Sequence, residues 1–474
     1  MRILPAALAL LTLSCATNPV TGRRELSLVS ESQEIAMGQS LLAGTRQETG
    51  FYDDPALTTY VADLGMRMAK ASERPDLPWE FHVVDDPAVN AFAAPGGFIF
   101  ITRGIMAYLN SEAELAGVMG HEIGHVTAKH SVSQLSKQQL FGVGLLAGAI
   151  AAPEIANSGI GQAAQAGAGL LFLKFGRDDE RQADELGHRY SLHQGYDVRE
   201  MPKTFATLQR MSEASASSGR VPGFLSTHPD PGDRVAATQR WADTVSSYAN
   251  LEAGRDRYLR HLDGVVFGND PRQGYFDGQR YLHPVLKFQF TMPAGWQGVN
   301  QASRVVAVEP NGQAQVEVSQ VAFATPRAAA DSFARQQGLQ LLGRNDDRVN
   351  GLPASAVSFQ ATTSQGASLT GQATFVQLGG AVYRVLGLTL TQAAAQQGSA
   401  IAQTIGSFGP TAANQVFQRV RELDVITLST GKTVDRLAQE SNGAATATEL
   451  ALINGVEVGT MLPTGRLIKT VRFR

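Results

Sequence analysis

The pentapeptide HEIGH, which begins at His121, constrains this chain more than any other feature of its sequence. Ser111 followed by Glu114 is a capping box, which predicts the start of a helix, and the apolar residues after it have helical spacing. On such a helix His121 and His125 project from one face, where two neutral imidazoles can share a metal ion. Glu122 lies one position further round, where it can take a proton from water and return it to a leaving amine. The motif therefore predicts a hydrolytic metal site.

A catalytic zinc ion needs three protein ligands and a fourth position that stays open for water. A second segment of the sequence offers the third of these protein ligands. Residues 177–196 read RDDERQADELGHRYSLHQGY, a charged run with helical spacing. Glu180 is the best candidate for the third ligand, and Asp184 lies one turn later on the same face. At that position Asp184 can accept a hydrogen bond from a ligand imidazole and set its tautomer. The other acids of the run are typical of a solvated helix surface.

Composition restricts the kinds of metal site and partner. The chain has 474 residues and one cysteine, Cys15, so thiolate zinc sites and iron–sulfur clusters are excluded. There are 40 Lys and Arg residues against 43 Asp and Glu, without a basic block, and this balance lacks the electrostatic footprint of nucleic-acid binding. The length predicts about three domains.

Four motifs, in this order along the chain, resemble those of the CAAX prenyl endopeptidases and HtpX-like zinc metallopeptidases, the minigluzincins of peptidase family M48. The motifs are NAFAAPGG from Asn90, HEIGH, ERQAD from Glu180, and Thr-His-Pro around His228 followed by Arg234. The likeness covers residues 28–243. It implies a mainly helical body with a small active-site β-sheet and one Zn²⁺ ion per chain. It also implies the metal ligands His121, His125 and Glu180, with Glu122 as general base and acid.

The resemblance further implies a strand that binds substrate. The strand Phe98–Thr102, which contains Ile99 and follows Gly97, would be the active-site edge strand and would pair with an extended substrate. Its β-rich sequence agrees with this role, and the glycines before it permit close approach of another backbone. Asn90, at the start of the motif, would lie beside the same substrate.

Three interpretations of His228 stay open. Together with Arg234 it would lie near the metal and stabilise the oxyanion of the tetrahedral intermediate. Alternatively it fills the open metal position and latches the enzyme shut, or it is a turn histidine before Pro229. The other histidines are predicted to be structural, and they are His82, His130, His188, His193, His261 and His283. For His130 the reason is its distance of five residues from His125, which turns it off the ligand face of a helix.

The N-terminus predicts export. Residues 1–14 have the proportions of a signal peptide, because Arg2 precedes a short apolar run from Ile3 to Leu13. Cys15 follows directly and resembles the lipidated cysteine of a bacterial lipobox, which predicts an outer-membrane anchor facing the periplasm. An ordinary secretory signal with an incidental cysteine is the alternative.

Two segments between the predicted ligands suggest a lid. Residues 140–152 are the most apolar internal stretch, too short to span a bilayer, and residues 158–169 are rich in Gly and Ala. A loosely held element in this position could gate the cleft. A plain core helix explains residues 140–152 equally well.

The C-terminal half lacks clusters of catalytic side chains in its sequence. Apolar and polar residues alternate from Leu286 to Met292, and Gly379-Gly380 predicts a hairpin turn, so residues 280–412 are expected to form an α+β, sandwich-like domain. Residues 421–474 have the order strand, helix, helix, strand. This order is similar to a LysM module, which would imply contact with peptidoglycan, although a scaffolding role is as plausible.

The sequence thus predicts an α+β multidomain chain: a signal peptide at 1–14, a metallopeptidase domain at 15–265, an α+β domain at 280–412 and a LysM-like module at 421–474. The expected function is a lipid-anchored zinc metalloendopeptidase that acts on unfolded or misassembled envelope proteins. Two alternatives are a chaperone or assembly factor with a dormant site and a peptidoglycan-directed hydrolase. The intact Glu122 argues against a pure binding protein.

Overall fold

A computed structural model describes the chain in five stretches, which are residues 15–137, 175–215, 223–228, 231–363 and 366–474. The signal peptide predicted at residues 1–14 and the lid predicted at 140–152 and 158–169 lie outside the described residues. The described part mixes helix and sheet, with helices dominating the N-terminal half and strands the region after residue 270.

The described chain divides into two compact units. The first takes the described residues within Met1–Arg46, Gly50–Asn269 and Arg421–Arg474, and the second takes those within Gln47–Thr49 and Asp270–Val420. Among the described helices, none combines the length and the apolar content that crossing a bilayer requires.

The first unit begins with a series of helices around a small sheet. Up to residue 269 its elements are β1 (Cys15–Thr17), β2 (Arg24–Leu26), α1 (Glu31–Glu48), α2 (Pro55–Lys70), β3 (Glu80–Val84), β4 (Ala91–Ala94), β5 (Phe98–Thr102), α3 (Arg103–Tyr108), α4 (Glu112–Thr127), α5 (Arg177–His193), α6 (Met201–Ser215), α7 (Gly223–Thr227), α8 (Pro231–Asp243) and α9 (Arg255–His261). A short 3₁₀ helix, Val198–Glu200, precedes α6.

Helix α4 carries the HEIGH motif and is buried over all of its 16 residues. Its N-cap is Ser111, whose hydroxyl accepts a hydrogen bond from the Glu114 N–H at 3.1 Å. Only this half of the predicted capping box forms, because the Glu114 carboxylate accepts from the N–H of Asn110, one residue before the cap. The glycines of the motif allow close packing on α5, since a Cβ at Gly120 would lie 2.9 Å from the Cα of Gly187.

The sheet of the first unit corrects one prediction. Its strand order is β3-β5-β4, with β5 parallel to β3 and antiparallel to β4. Phe98–Thr102 is therefore the central strand, fully buried, and not an edge strand. The preceding glycines serve internal packing: Gly96 has φ 83°, and a Cβ there would lie 2.6 Å from the Cα of Ile35. Within the part of the chain that the structure describes, the edge strand next to Asn90 is β4 instead.

The second unit is rich in antiparallel sheet. Its strands are β6 (Tyr275–Asp277), β7 (Arg280–His283), β8 (Phe288–Thr291), β9 (Gln297–Asn300), β10 (Arg304–Val308), β11 (Ala314–Val321), β12 (Leu339–Val349), β13 (Leu352–Thr362), β14 (Ser368–Leu378), β15 (Ala381–Leu390) and β16 (Gly409–Pro410). Its helices are α10 (Pro326–Ala334) and α11 (Ala394–Ser407), with short 3₁₀ turns at Pro271–Gln273 and Thr391–Ala393. The sheets have the orders β12-β13-β14-β15-β11-β10-β9 and β16-β8-β7-β6, and the predicted hairpin through Gly379-Gly380 is present as β14 and β15.

The C-terminal segment returns to the first unit. It consists of β17 (Arg421–Thr427), β18 (Lys432–Thr433), α12 (Val434–Glu440), α13 (Ala447–Ile453), β19 (Met461–Leu462) and β20 (Leu467–Phe473). Strand β17 pairs with β20 in antiparallel register, so the predicted order of strand, helix, helix and strand is present. The sequence predicts a separate module, whereas in the structure the buried Leu423, Ile468 and Val471 belong to the same hydrophobic core as Met119 and Ile123 of α4.

Candidate metal centre

Four side chains of the first unit converge on one buried point, and they are His121, His125, Glu180 and His228. The Nε2 atoms of His121 and His125 lie 3.0 Å apart, because helical spacing stacks the two rings on one face of α4. Each of these Nε2 atoms lies 3.6 Å from a carboxylate oxygen of Glu180, on α5. Nδ1 of His228, which follows α7, lies 3.2 Å from Nε2 of His121. The structure thus brings the three predicted metal ligands together with His228.

The cluster fits a tetrahedral metal ion. With metal–ligand bonds of about 2.0–2.1 Å, the donor atoms around zinc stand about 3.3 Å apart, close to the distances between the donors here. Oε1 of Glu122 is buried and lacks a hydrogen-bond partner among the described residues, and the equally buried Oε2 of Glu180 has an ion pair with Arg234 at 3.1 Å. A carboxylate oxygen without a hydrogen-bond partner, such as that of Glu122, is costly to bury, and a cation or a water molecule would satisfy it. The residues therefore fit a metal ion held by two imidazoles and a carboxylate, with His228 as a possible fourth ligand.

Asp184 and Arg234 orient His121. The imidazole Nδ1 of His121 lies 2.8 Å from Oδ1 of Asp184, so with Nε2 towards the cluster its Nδ1–H donates to that carboxylate. Arg234 of α8 donates from Nε and Nη2 to both oxygens of Asp184, at 2.8 and 2.6 Å, and its Nη1 lies 3.1 Å from Glu180. Burial raises the pKa of Asp184, but Arg234 and His121 offset this and hold it at about 2. Arg234, predicted to stabilise an oxyanion, is occupied by these two acids.

Glu122 is buried beside the donor cluster. Its side chain is 1% exposed, and Oε1 lies 3.7 Å from Nε2 of His228. Burial raises the pKa of the Glu122 carboxyl, although His228 and His121 act in the opposite direction. A raised pKa suits a group that must take up a proton and release it again in one reaction.

His228 lies across the open side of the cluster. Its Nδ1 lies 2.8 Å from Oε1 of Glu180, while Nε2 points towards Glu122. Burial lowers the pKa of His228, but the carboxylates of Glu180 and Glu122 together act in the opposite direction, so the pKa is raised. The ring stacks on Phe224, with the centroids 4.5 Å apart, and lies 5.7 Å from the ring of Phe175. These aromatic side chains form an apolar wall around the imidazole.

His130 is the residue that sequence reasoning missed. Its Nδ1 lies 2.9 Å from Nδ1 of His125, and it is buried at 4% exposure. The prediction that His130 faces away from the ligands assumed one continuous helix, whereas α4 ends at Thr127 and the chain changes direction before His130. The one sequence feature that could have indicated a role for His130 in the site is its position five residues after the HEIGH motif.

The other predicted sites lie outside the cluster. Asn90 lies at the start of β4, where the neighbouring Val89 carbonyl accepts a hydrogen bond from the N–H of Phe224 at 2.9 Å. The five remaining histidines are elsewhere in the two units, and they are His82, His188, His193, His261 and His283. Cys15 begins β1, and the Asn18 side chain three residues later donates to the carbonyl of Ala128 just beyond α4.

Comparison with known proteins gives a consistent picture. Residues 55–242 match the model of "Peptidase family M48". The chain is 32% identical over 253 residues to the beta-barrel assembly-enhancing protease of Escherichia coli K12, covering 52% of this chain and 51% of that protein. It is also 32% identical over 227 residues to the mitochondrial metalloendopeptidase OMA1 of Schizosaccharomyces pombe, covering 47% of this chain and 65% of that one.

These matches are partial. The chain spans about half the length of its bacterial relatives, including the putative beta-barrel assembly-enhancing protease of Vibrio cholerae, at 31% identity and 51% coverage of that protein. Among solved structures, cyanobacterial PsbP from Synechocystis aligns with 28% of this chain at 16% identity and a TM-score of 0.24, a level that supports no inference.

Proposed function

Residues 55–242 of this chain belong to peptidase family M48, and from that premise we propose that the protein is a zinc metalloendopeptidase that hydrolyses peptide bonds of unfolded or misassembled bacterial envelope proteins. The observation that carries the proposal is Glu122. Its carboxylate is buried, one of its oxygens has no hydrogen-bond partner among the described residues, and it lies beside a cluster of imidazoles and the Glu180 carboxylate that suits a metal ion. A chaperone with a dormant site has no need of such a base.

The site residues divide the chemistry between them. Zinc, when bound by His121, His125 and Glu180, supplies the Lewis acidity that polarises the scissile carbonyl and lowers the pKa of water. Glu122 takes the proton from the attacking water and delivers it to the amine as the carbon–nitrogen bond breaks. Asp184 keeps His121 in the tautomer that presents Nε2, and Arg234 keeps Asp184 ionised. Arg234 is in this proposal a positioning residue.

Strand β4 binds the substrate in this proposal. Among the described residues it forms one edge of the three-stranded sheet, and an extended peptide would pair with its outer backbone groups by strand addition. Strand β4 also packs against α4, which carries the metal ligands. An unfolded chain can present an extended segment with unpaired backbone groups, whereas most strands of a folded protein are already paired, so this mode of binding favours unfolded or misassembled substrates.

The envelope assignment rests on the relatives and the N-terminus. The bacterial relatives are named for enhancing beta-barrel assembly, which supports misassembled outer-membrane proteins as a substrate class. The apolar run before Cys15 supports export and lipidation at this cysteine, and a lipid chain would anchor the enzyme at a membrane without spanning it. Peptidoglycan is a further partner to test, because residues 421–474 have the strand, helix, helix, strand order of a LysM-like module.

Metal removal tests the proposal. A strong chelator should abolish cleavage of an unfolded protein such as denatured casein by the full chain, and added Zn²⁺ should restore it, because Glu122 alone is too weak a base to activate water. Cleavage is followed by new N-termini, and metal content by mass spectrometry. Undiminished cleavage by metal-free protein would refute the mechanism. In a parallel assay, release of muropeptides from peptidoglycan would favour the peptidoglycan-directed hydrolase.

We also propose that His228 latches the site. Its Nδ1 lies at the position of a fourth metal ligand, and its Nε2 faces the Glu122 carboxylate, so one ring obstructs both the open position and the base. His228→Ala should then raise the rate of peptide cleavage several-fold while leaving zinc bound by the three remaining ligands. A rate at least tenfold below wild type, with zinc content unchanged, would instead support stabilisation of the oxyanion.

A further inference from the structure

The chain turns sharply at Lys129, directly after the metal-binding helix. Helix α4 ends at Thr127, Ala128 is its C-cap, and Lys129 has φ 57°, a left-handed conformation that residues other than glycine rarely adopt. Residues 130–137 are helical again. The Lys129 ammonium donates to the buried Glu34 carboxylate at 2.9 Å, which holds this turn in place. The break redirects His130, which on a continuous helix would point about 140° away from His125.

Two hydrogen bonds connect His125 to α5 through His130. Nδ1 of His130 lies 2.9 Å from Nδ1 of His125, and Nε2 of His130 lies 2.9 Å from Oε1 of Gln182. Both imidazoles are buried, at 1% and 4% exposure. Gln182 lies two residues after Glu180, so the connection ends on the helix that carries the third donor of the cluster.

The order of donors and acceptors fixes the proton positions. The Gln182 carbonyl oxygen can only accept, so Nε2 of His130 carries a hydrogen and donates to it. A neutral His130 then has a bare Nδ1, which can only accept, and the hydrogen between the two rings belongs to Nδ1 of His125. Nε2 of His125 is left without a hydrogen and with its lone pair directed into the donor cluster.

We propose that His130 and Gln182 are positioning residues that set His125 in the tautomer and orientation required of an Nε2 metal ligand. The inference rests on the zinc site of the proposed function. It adds a second series of orienting hydrogen bonds to the one formed by Asp184 and Arg234. The two series differ in the charge of the group that accepts from the ligand imidazole. His121 donates to a carboxylate, whereas His125 donates to a neutral imidazole, and the Asp179 carboxylate lies 3.9 Å from Nε2 on the far side of that imidazole.

Zinc affinity of the full chain tests the inference. His130→Leu removes the acceptor from Nδ1–H of His125 and should raise the zinc dissociation constant about 10- to 100-fold, the range for loss of a group that orients a ligand. Gln182→Ala frees His130 to change tautomer, and it should raise the zinc dissociation constant less, by about 3- to 10-fold. His130→Asn places an amide oxygen close to the former Nδ1 and should restore affinity to within about threefold of wild type. Affinity is measured by competition with a chromogenic chelator.

A spectroscopic readout and a control separate orientation from general damage. The nitrogen-coupled proton spectrum of ¹⁵N-histidine protein should show a protected Nδ1–H for His125 in zinc-loaded wild type and lose that protection in His130→Leu. His188→Leu is the matched control, because His188 is a half-buried histidine of α5 whose Nε2 has no hydrogen-bond partner among the described residues. It should leave zinc affinity unchanged.

The outcomes distinguish the two proposals. Equal zinc affinity in wild type, His130→Leu and Gln182→Ala, with the His125 signal unchanged, would overturn the positioning role and leave the zinc enzyme intact. Wild-type protein that binds no zinc would refute the proposed function itself. If His130→Leu does not fold, His130→Asn and Gln182→Ala decide the question, and failure of the amide to restore affinity would count against the inference.

Discussion

Glu122→Gln should lower the rate of peptide cleavage by 100- to 10,000-fold, about the contribution of a general base and acid, while zinc content and thermal stability stay close to wild type. The substitution keeps the size of the side chain and removes its ability to hold a proton. Glutamine also fits the site without a new charge, since Glu122 is buried at 1% exposure. The amide of glutamine does not titrate, so the variant has no counterpart to the Glu122 carboxyl, whose pKa burial raises.

The measurement is kcat/KM on an unfolded protein, with zinc quantified in the same samples. Glu185→Gln is the matched control, because Glu185 is an exposed acid on α5, one residue beyond Asp184. It should cleave at the wild-type rate. If Glu122→Gln retained more than a tenth of the wild-type rate with its zinc in place, another group would have to serve as the base.

Lys469→Ala should destabilise the first unit by about 3 kcal/mol or more, the sum for two buried acceptors that lose their donor. Lys469 lies on β20 and is fully buried. Its amino group donates to the carbonyl of Ala107 at 2.8 Å and to that of Leu109 at 2.5 Å. These two carbonyls belong to the end of α3 and the turn that leads into α4. Without Lys469 they would be left unpaired in a core that excludes water.

Hydrogen exchange and urea unfolding of the full chain measure this effect. Amide exchange in residues 103–127 should accelerate in Lys469→Ala, because the turn before α4 loses its contacts. Lys469→Met keeps most of the buried stem and should be less damaging. Lys432→Ala is the control from the same segment, where the lysine forms a partly exposed pair with Glu440 that contributes little to stability. A stable Lys469→Ala with unchanged exchange would mean that residues 421–474 are an independent module after all.

Local patterns predicted the parts of the site that lie on single helices. The separation of four residues between His121 and His125 is nearly one helical turn, so the helix alone brings both imidazoles to one face. The same geometry relates Glu180 to Asp184. The backbone of a single helix sets the relative position of the two residues in each pair. In the structure the first pair lies on α4 and the second on α5.

Contacts between elements were less predictable. Alternation and turn residues predicted strands, such as the hairpin through Gly379-Gly380, because side-chain direction and turn conformation are local properties. They did not reveal that Phe98–Thr102 is flanked on both sides, since neighbours in a sheet come from distant parts of the chain. The burial of Lys469 among residues more than 350 positions away was likewise not encoded in any local pattern.

Residue types and their spacing were enough to predict the chemistry available to this protein. A single cysteine, the HEIGH helix and the acidic second helix predicted a metal site of imidazoles and carboxylate, because ligand type and helical spacing can be read directly from residue identity. How the site is supported could be seen only in the folded chain. There His228 lies across the cluster, Arg234 binds Asp184, His130 contacts His125, and the C-terminal segment shares a hydrophobic core with α4. These contacts depend on where helices end and how elements from distant parts of the chain pack, which no local pattern specifies.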